Sequence, residues 1–507
     1  MRAMSTRSSF AALLTAICSL CCAAPPRVPG SGVQLDNPLP LPARPWADEV
    51  LYSVLVDRFA DGDVTNDAQV DRTGKGTFHG GDLKGLLAQL DEISSLGVTA
   101  LWLNPLVKNV DQPVTGAGFP DWPYHGYWPD DFTRLDPRFG TEADLRALVR
   151  ACHARGIRVL LDVVYNHAGY RSQYLTNPAT AAFLRSNEAG TCGKDELTTC
   201  VSGLPDFRTE LPAVADFLIT AQLGWARRSG VDGFRLDAVR NVGHPFWREQ
   251  RHRSREVLGR NFFLLGEVFA GNAGSLLDDY FADDEMDAGF DFSFQPTVLA
   301  FLQEGTSTTA FDKYLQTRMT VRPGYLLAHF LSSHDVPGAL FLLHGDTARF
   351  RLAATLQLTT AGIPTIEYGE EVARPGGAWP DNRSDMPWGE RPIEPGAGRP
   401  RDEALRREYQ KLIAIRRAHP ALSRGTQRGL VTLPGLYVFE RKLGSDVVLV
   451  AIDRGDAAAA AELPLPLEWD GRQPTDLLDD SPVANTEGLL HIEIGPLSAR
   501  IISLRAP

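Results

Sequence analysis

The feature that most constrains the fold is a repeated alternation of short apolar runs and longer amphipathic stretches. Eight runs rich in Leu and β-branched residues lie between residues 50 and 368, and polar residues follow several of them. Stretches with helical periodicity separate many of these runs. This alternation predicts parallel strands joined by helices, and eight units favour an α/β fold of the (β/α)8 TIM barrel type over an open doubly wound sheet.

The predicted elements follow from these periodicities. The predicted barrel strands are 50–56, 99–103, 159–164, 233–237, 263–267, a less clear strand near Phe290, 326–332 and 364–368. The predicted helices between them include 83–95, 142–154, 213–228 and 246–258.

Two stretches depart from the alternation and predict additional domains. More residues separate Val164 from Gly233 than one barrel unit needs, which predicts a loop-rich inserted domain, domain B, after the third strand at residues 167–210. The catalytic barrel then comprises residues 46–166 and 211–426. Short alternating strands without helices predict a C-terminal antiparallel β-sandwich domain over residues 427–507. Its predicted strands are 436–440, 447–452, 489–494 and 500–504.

The N-terminus has the pattern of a secretory leader. Arg2 and Arg7 precede an apolar run, 10–20, that is too short to span a bilayer. We expect a signal peptide at 1–24, a Pro-rich linker at 25–45, and a secreted protein that is extracellular or periplasmic. An ordinary hydrophobic N-terminal helix is the alternative. A lipid anchor on one of the leader cysteines stays open, although the residues ahead of each fit a lipoprotein signal poorly; these cysteines are Cys18, Cys21 and Cys22.

The remaining sequence restricts the partners and the cysteine chemistry. No later apolar stretch is long enough for a transmembrane segment. The net charge of −12 repels phosphate backbones, so we expect no nucleic acid partner.

In an oxidising compartment, Cys192 and Cys200 flank a polar loop and predict a disulfide, while Cys152 predicts a buried thiol. Three free thiols are the alternative.

Acidic residues lie at the ends of three predicted strands, where the active site of a barrel forms. Arg235 and Asp237 share one face of the fourth strand, and the guanidinium favours an ionised carboxylate there. Glu267 follows an apolar run, and loss of solvent raises the pKa of such a carboxyl group. Asp335 adds a third acid after the seventh strand. An ionised acid facing a protonated one is what retaining glycosidic cleavage requires, although each acid taken alone could form a structural ion pair.

An aromatic segment points to the same chemistry. Residues 122–128 combine two Trp, two Tyr and one His with Gly and Pro, which suits a loop over a sugar better than a core segment.

The signature segments together resemble the α-amylase family of glycoside hydrolases, closest in pattern to secreted bacterial α-amylases. The resemblance extends from about residue 51 to 417. Its segments are 162–167, 204–207, 233–237, 266–268 and 330–335.

The resemblance implies a role for individual residues. Asp237 matches the nucleophile, Glu267 the general acid and base, and Asp335 the acid that stabilises the distorted sugar. The implied substrate-binding residues are His125, Tyr127, Arg235, His334 and Arg383.

The resemblance also implies Ca2+ as a cofactor at two sites. Hard oxygen ligands crowded in a loop suit this ion. One site lies between the insertion and the barrel, with side chains from Asn166 and Asp206 and the main-chain carbonyl of Asn241. The other matches a loop of cyclodextrin-forming and maltogenic relatives, for which a solvated acidic turn is the alternative; its residues are Asp61, Asp63, Asn66, Asp67, Gly80 and Asp82.

Three positions depart from the family pattern. Arg240 and Asn241 stand where the pattern usually has Lys and His, which contact sugar on the leaving-group side. Glu367 replaces the Tyr that is common on the eighth strand.

The sequence favours a secreted retaining hydrolase of α-1,4-glucosidic bonds in starch and maltooligosaccharides, acting as a monomer. An α-glucan transglycosylase, either a 4-α-glucanotransferase or a cyclodextrin-active enzyme, is the alternative that uses the same residues. The short stretch after the barrel argues against the cyclodextrin-forming type, and the short N-terminal stretch argues against neopullulanase-like enzymes. A third hypothesis, a non-catalytic glucan-binding relative, is disfavoured because all three acids are present.

Overall fold

A computed structural model describes residues 43–115, 118–271, 276–280, 285–318, 325–465 and 473–504. The predicted signal peptide and most of the predicted linker lie outside these ranges.

Eight parallel strands close into a barrel, as the sequence predicts. Their order around the barrel is β1-β8-β7-β6-β5-β4-β3-β2. The strands are β1 (Leu51–Val54), β2 (Ala100–Leu103), β3 (Arg158–Val163), β4 (Gly233–Leu236), β5 (Phe263–Gly266), β6 (Ala288–Phe290), β7 (Leu326–Phe330) and β8 (Ile363–Glu367).

Helices connect these strands, several within a residue or two of their predicted bounds. The helices are α1 (Leu83–Ala88), α2 (Leu90–Leu96), α3 (Glu142–Ala154), α4 (Pro212–Ser229), α5 (His244–Leu258), α6 (Leu276–Tyr280), α7 (Phe294–Leu302), α8 (Thr308–Thr317), α9 (Ala339–Leu342), α10 (Thr347–Thr359), α11 (Glu403–Ala418) and α12 (Pro420–Arg424). The helix predicted at 83–95 is divided into α1 and α2 at Gln89, whose backbone leaves helical geometry with ψ 13°.

Alternation along the strands separates two apolar cores. One set of side chains, including Leu51, Leu160 and Phe263, fills the barrel interior. The neighbouring set, including Tyr52 and Leu161, packs outward in the larger cluster that the helices cover. Because strand side chains alternate, the inward set continues into polar residues at the carboxyl ends of the strands, where the candidate site lies.

The insertion after β3 contains only short elements, as predicted for a loop-rich segment. Leu184–Arg185 and Asp206–Phe207 form a two-stranded antiparallel sheet. The predicted Cys192–Cys200 disulfide is confirmed, and Cys152 is a buried free thiol. Burial raises the pKa of that thiol to about 12.

The C-terminal region forms two antiparallel sheets with a shared apolar core, which confirms the predicted β-sandwich. The first sheet has the order β9-β10-β11-β16-β13 and the second the order β12-β15-β14. Their strands are β9 (Thr426–Thr432), β10 (Leu436–Leu443), β11 (Asp446–Asp453), β12 (Ala459–Pro464), β13 (Thr475–Asp476), β14 (Asn485–Thr486), β15 (Leu489–Ile494) and β16 (Ser498–Ser503).

No helix in the described ranges is both long and apolar enough to cross a membrane.

Candidate active site

Arg235 on β4 connects three carboxyl groups at the carboxyl end of the barrel. Its NH1 lies 3.0 Å from Asp162 Oδ1 and 2.7 Å from Asp237 Oδ1, and its NH2 lies 2.9 Å from Glu267 Oε1. The guanidinium is 1% exposed. Burial opposes its charge, but Asp162 and Glu267 hold its pKa well above the ordinary value. One fixed cation thus brings the predicted nucleophile and the predicted acid together.

Glu267 lies directly after β5 and is buried. Its Oε2 accepts a hydrogen bond from the backbone N–H of Ala238 at 3.0 Å. Burial raises the pKa of Glu267 to about 8, and this effect outweighs the opposing charge of Arg235. The direction agrees with the predicted rise, and a raised pKa favours the protonated form of Glu267.

The Asp335 carboxylate contacts two neighbouring side chains, His334 and Arg383. His334 Nε2 lies 3.1 Å from Asp335 Oδ2, and Arg383 NH2 lies 3.3 Å from Asp335 Oδ1. Burial alone would raise the pKa of Asp335, but His334 and Arg383 hold it well below its usual range. Arg383 Nε also donates to the His334 carbonyl at 2.8 Å, so the three residues form one unit.

Tyr127 links the aromatic segment to the acids. Its hydroxyl donates to Asp162 Oδ2 at 2.7 Å and lies 2.8 Å from His334 Nε2. The hydroxyl has a single hydrogen, so with that hydrogen on Asp162 it accepts one from His334. The Tyr127 and His334 rings stack at 5.3 Å, and the His125 and Tyr127 rings stack at 5.7 Å. All five predicted substrate-binding residues therefore lie around the acids.

Burial keeps His125 neutral. Its side chain is 3% exposed, and burial, together with the charges of Arg383 and His334, holds its pKa well below the ordinary value. Its Nδ1 accepts a hydrogen bond from the Tyr127 N–H at 3.0 Å. His125 therefore adds no positive charge to the site, whereas the guanidinium groups of Arg235 and Arg383 do.

The site contains further residues that were not among the predicted ones. Trp102 Nε1 donates to Asp162 Oδ2 at 3.1 Å, and burial raises the pKa of Asp162 to about 6. Ser53 donates to Glu367, whose other oxygen, Oε1, is buried without a hydrogen-bond partner. Strand alternation predicts that these four side chains face the barrel interior, since each lies two positions after an inward-facing residue. They are Ser53, Trp102, Asp162 and Glu367.

The residues of the predicted calcium loop between Asp61 and Asp82 come together only in part. Arg72 NH2 lies 2.6 Å from Asp61 Oδ2 and 3.5 Å from Asp67 Oδ2. Asn66 Nδ2 donates to Asp82 Oδ2 at 2.9 Å. Two further oxygens, Asn66 Oδ1 and Asp67 Oδ1, are buried without partners.

The geometry of this loop fits an oxygen-ligated cation that would displace Arg72. Gly80, with φ +94°, lies against Asp67, and an added Cβ would meet its Oδ1 at 2.7 Å. Burial raises the pKa of Asp67 to about 6. The Asp63 carboxylate pairs with Lys84, and its backbone N–H donates to Asp61 Oδ1 at 3.1 Å. In the described ranges, no three His, Cys, Asp or Glu side chains form a metal cluster, so amide and carbonyl oxygens would have to contribute.

The residues of the other predicted calcium site, Asn166, Asp206 and Asn241, meet between the insertion and the barrel. With its amide nitrogen facing them, Asn166 donates to Asp206 Oδ1 at 3.2 Å and to the Asn241 carbonyl at 3.0 Å. With its amide oxygen facing them, three oxygens would converge, which is the donor set that Ca2+ prefers. The other Asp206 oxygen pairs with Arg185 at 2.7 Å, and burial raises the pKa of Asp206 to about 7. The site fits Ca2+.

Comparison with known proteins identifies the family. The chain matches the α-amylase catalytic domain over residues 53–188 and 194–407. The chain belongs to the α-amylase family. Residues 432–501 match the C-terminal domain of maltogenic amylases, which is the region of the β-sandwich.

Relatives of this α-amylase family member have different activities. It is 31% identical over 484 residues to neopullulanase 2 of Thermoactinomyces vulgaris, with 90% of this chain and 78% of the relative covered. It is 30% identical over 510 residues to the periplasmic α-amylase of Escherichia coli, with 80% and 72% covered. These relatives support a glycosidase, and they leave the preferred substrate to be decided by experiment.

A solved structure corrects the argument from length. The cyclomaltodextrin glucanotransferase CldA, described as having a three-domain ABC distribution, superposes with a TM-score of 0.77 at 26% identity, covering 90% of this chain and 99% of that one. The expectation that a short C-terminal region argues against the cyclodextrin-forming type is therefore wrong. The match covers only 78% of neopullulanase 2, so the argument from the short N-terminal stretch stays a prediction.

Proposed function

We propose that this enzyme is a secreted retaining hydrolase of α-1,4-glucosidic bonds in starch and maltooligosaccharides. The contact of Arg235 with both Asp237 and Glu267 supports the proposal most strongly, because one guanidinium binds the two acids at the carboxyl end of the barrel. Retaining enzymes use one carboxyl group as the nucleophile and the other as the general acid and base, and this pair can take those two roles.

In the first step, an Asp237 oxygen attacks the anomeric carbon while Glu267 gives its proton to the glycosidic oxygen. The carbon–oxygen bond to the leaving sugar breaks, and its electron pair stays on the newly protonated oxygen. The raised pKa of Glu267 keeps the required proton in place at neutral pH. Asp335, held ionised by its neighbours, stabilises the positive charge that develops on the sugar ring.

In the second step, Glu267 removes a proton from a water molecule, whose oxygen attacks the anomeric carbon. The bond to Asp237 breaks and the carboxylate is released, so both acids return to their starting states. Tyr127 and His334 stack beside these acids and offer an aromatic face for the sugar.

We propose Ca2+ at the site formed by Asn166, Asp206 and the Asn241 carbonyl, and a second ion in the loop of Asp61, Asn66, Asp67, Gly80 and Asp82. Bound Ca2+ would supply positive charge that fixes the insertion against the barrel. Asn241 lies four residues after Asp237, so an ion there would stabilise the segment that carries the nucleophile. Asp63 stays a predicted ligand of this loop, and an ion there would displace Lys84 as it would displace Arg72.

We also propose that the protein is secreted, because residues 1–24 have the pattern of a signal peptide. The Cys192–Cys200 disulfide supports it, because disulfides persist in oxidising compartments.

A transglycosylase is the second candidate, favoured by the structural similarity to CldA. Water and a sugar hydroxyl compete for the same Asp237-bound intermediate, so the acids alone do not distinguish the two activities.

The test is product analysis on soluble starch and on maltoheptaose, with chain length followed by chromatography and anomeric configuration by NMR. We expect shorter α-configured maltooligosaccharides from the wild type and from the control Glu493→Gln, whose side chain is exposed on β15. We expect no products from Asp237→Asn or Glu267→Gln. Longer or cyclic products would favour the transglycosylase over the hydrolase. An absence of turnover by the wild type would favour a non-catalytic glucan-binding protein.

A further inference from the structure

Glu367, the last residue of β8, is a buried acid that the two catalytic steps do not use. It is 1% exposed and stands where the family pattern commonly has Tyr. Ser53 donates a hydrogen bond to its Oε2, whereas its Oε1 has no hydrogen-bond partner. A buried polar atom without a partner is rare and costly, so we expect a ligand for Oε1.

Arg374 does not supply that ligand. Its NH2 lies 3.9 Å from Glu367 Oε1, which is beyond hydrogen-bond distance. Its Nε donates instead to the Tyr368 carbonyl at 2.8 Å, and its NH1 donates to the Asn382 carbonyl at 2.7 Å. Main-chain carbonyls therefore hold this guanidinium, and moving it onto Oε1 would break those bonds.

A small cavity lies beside Glu367. Its volume is about 170 Å³, whereas one water molecule occupies roughly 30 Å³ in the liquid. A cavity lined by polar groups holds an ordered water molecule, whereas an apolar cavity stays dry. The lining of this one includes Ser53, Trp102, Asn104, Tyr127, His334 and Glu367.

The polar groups of Trp102 and Asn104 are committed to other partners. Trp102 Nε1 donates to Asp162, and Asn104 donates both amide hydrogens to main-chain carbonyls. A buried water molecule needs about two to four polar partners. The groups that remain to bind one are Glu367 Oε1, the hydroxyl groups of Ser53 and Tyr127, and the His334 ring.

The cavity adjoins the active site at His334. Ser53 and His334 line both the cavity and the neighbouring pocket, which contains Asp335. Burial raises the pKa of Glu367, and His334 has the largest opposing effect, which reflects their proximity. His334 Nε2 in turn lies 3.1 Å from Asp335 Oδ2. A group that fixes the His334 ring from the cavity therefore also fixes the Asp335 carboxylate.

We propose that Glu367 binds a water molecule in this cavity, and that the two together position the His334 ring and, through it, Asp335. Glu367 is a positioning residue, since it acts through His334. Asp335 stabilises charge that develops only in the transition state, so displacing it lowers kcat more than it weakens substrate binding. The inference rests on the proposed α-glucan cleavage and deepens it, because it assigns a role to a residue that departs from the family pattern.

The experiment compares Glu367→Leu and Glu367→Gln with the wild type on maltoheptaose, with Ca2+ in excess. Leu has a similar size but cannot bond a water molecule, whereas Gln can bond both the water and Ser53. We expect Glu367→Leu to lower kcat about tenfold and to change KM less than about twofold, the pattern of an interaction made in the transition state. Glu367→Gln should retain kcat within about twofold of the wild type.

Glu371→Leu is the matched control. Glu371 is also a buried glutamate after β8: Tyr52 donates to its Oε1 at 3.0 Å, and its Oε2 has no hydrogen-bond partner. The described lining of the cavity does not include it. We expect Glu371→Leu to leave kcat unchanged, and thermal unfolding shows whether each variant is folded. An equal fall in kcat for Glu371→Leu would show a general effect of removing a buried acid and overturn the proposal.

A crystal structure of the wild type is the second measurement, and it depends on no variant. We expect a water molecule within hydrogen-bond distance of Glu367 Oε1, and a cavity without one would overturn the proposal. An unchanged kcat for Glu367→Leu, a loss mainly through KM, or an equal loss for Glu367→Gln would also overturn it. Wild-type enzyme that does not cleave maltoheptaose would refute the proposed function itself, whether or not the water is bound, which keeps the two failures distinct.

Discussion

Arg235 NH2 and Glu267 Oε1 lie 2.9 Å apart, so the group that must donate a proton contacts a permanent cation. The cation favours the ionised carboxylate and burial favours the protonated one. Burial has the larger effect, and the pKa of Glu267 rises to about 8. Asp237 shares the same guanidinium and is more accessible to solvent, at 13% exposed. The arrangement gives the two acids different tasks through their surroundings.

The first prediction concerns alkaline pH. The general acid must be protonated, so kcat/KM on maltoheptaose should fall as the pH rises through about 8, the pKa of Glu267. Initial rates between about pH 5 and 10, with stability checked at each pH, measure this. A fall that is complete by about pH 6 would contradict it.

The second prediction separates the acid role of Glu267 from substrate binding. Glu267→Gln should lower kcat on maltoheptaose by about 10²–10⁴-fold, the usual contribution of a general acid. The loss should be much smaller on α-maltosyl fluoride when azide is added, because fluoride needs little protonation and azide attacks without a base. Asp237→Asn is the comparison that azide should not restore. Equal inactivity of Glu267→Gln under both conditions would argue for a structural role.

The third prediction tests the Tyr127 hydroxyl. Tyr127→Phe keeps the stacked ring but removes the hydrogen bond to buried Asp162 and the contact with His334 Nε2. An unpaired buried polar group costs about 1–3 kcal/mol, which corresponds to roughly a 5- to 150-fold loss in kcat/KM if the cost arises in the transition state. Steady-state kinetics on maltoheptaose measure it. An unchanged kcat/KM would show that the hydroxyl does not contribute.

The fourth prediction uses Glu367 to link pH and stability. Burial raises the pKa of Glu367, opposed by His334, Arg374 and the Ser53 hydrogen bond, with Asp335 adding to the rise. When the pKa of a carboxyl group is higher in the folded state than in the unfolded state, the group raises the free energy of unfolding at pH values below its unfolded-state pKa. This stabilisation is lost as the pH rises through the folded-state pKa. Because Gln does not titrate, the Tm of Glu367→Gln should increase relative to the Tm of the wild type as the pH rises.

Thermal unfolding at about pH 4, 6 and 8 checks this prediction, and the gain at the highest pH should be a few degrees. Gln retains an acceptor for Ser53, so packing is preserved. A Tm difference that stays constant with pH, or reverses, would show that Glu367 is ionised in the fold without cost.

The fifth prediction tests calcium binding. Ca2+ in excess should raise the Tm of the wild type and chelator should lower it, since a ligand that binds only the folded state stabilises it by about 2.7 kcal/mol at 100 times its Kd. Asp206→Ala should remove most of this response, and Glu493→Gln should retain it. An unchanged Tm with added Ca2+ would indicate that Arg185 and Arg72 are the permanent cations of these sites.

Much of the fold is determined by local sequence. Helix α3 occupies its predicted range, Glu142–Ala154, because Thr141 and Asp144 form a capping box ahead of a helical apolar pattern. The barrel strands follow from short apolar runs, and the disulfide follows from two cysteines that flank a polar loop. The ends of strands then indicate where Asp237, Glu267 and Asp335 belong, since a parallel barrel places all such ends at one rim.

Only the tertiary structure determines how these residues affect one another. Asp63 lies in the pattern of the calcium loop, yet its carboxylate pairs with Lys84. Glu196 contacts Arg240 across the insertion, although nothing in their separate segments indicates it. Protonation states, ion pairs and shared ligands depend on burial and on distances of a few ångströms between residues far apart in the chain. Periodicity and capping are encoded by neighbouring residues, and so the sequence alone determines them.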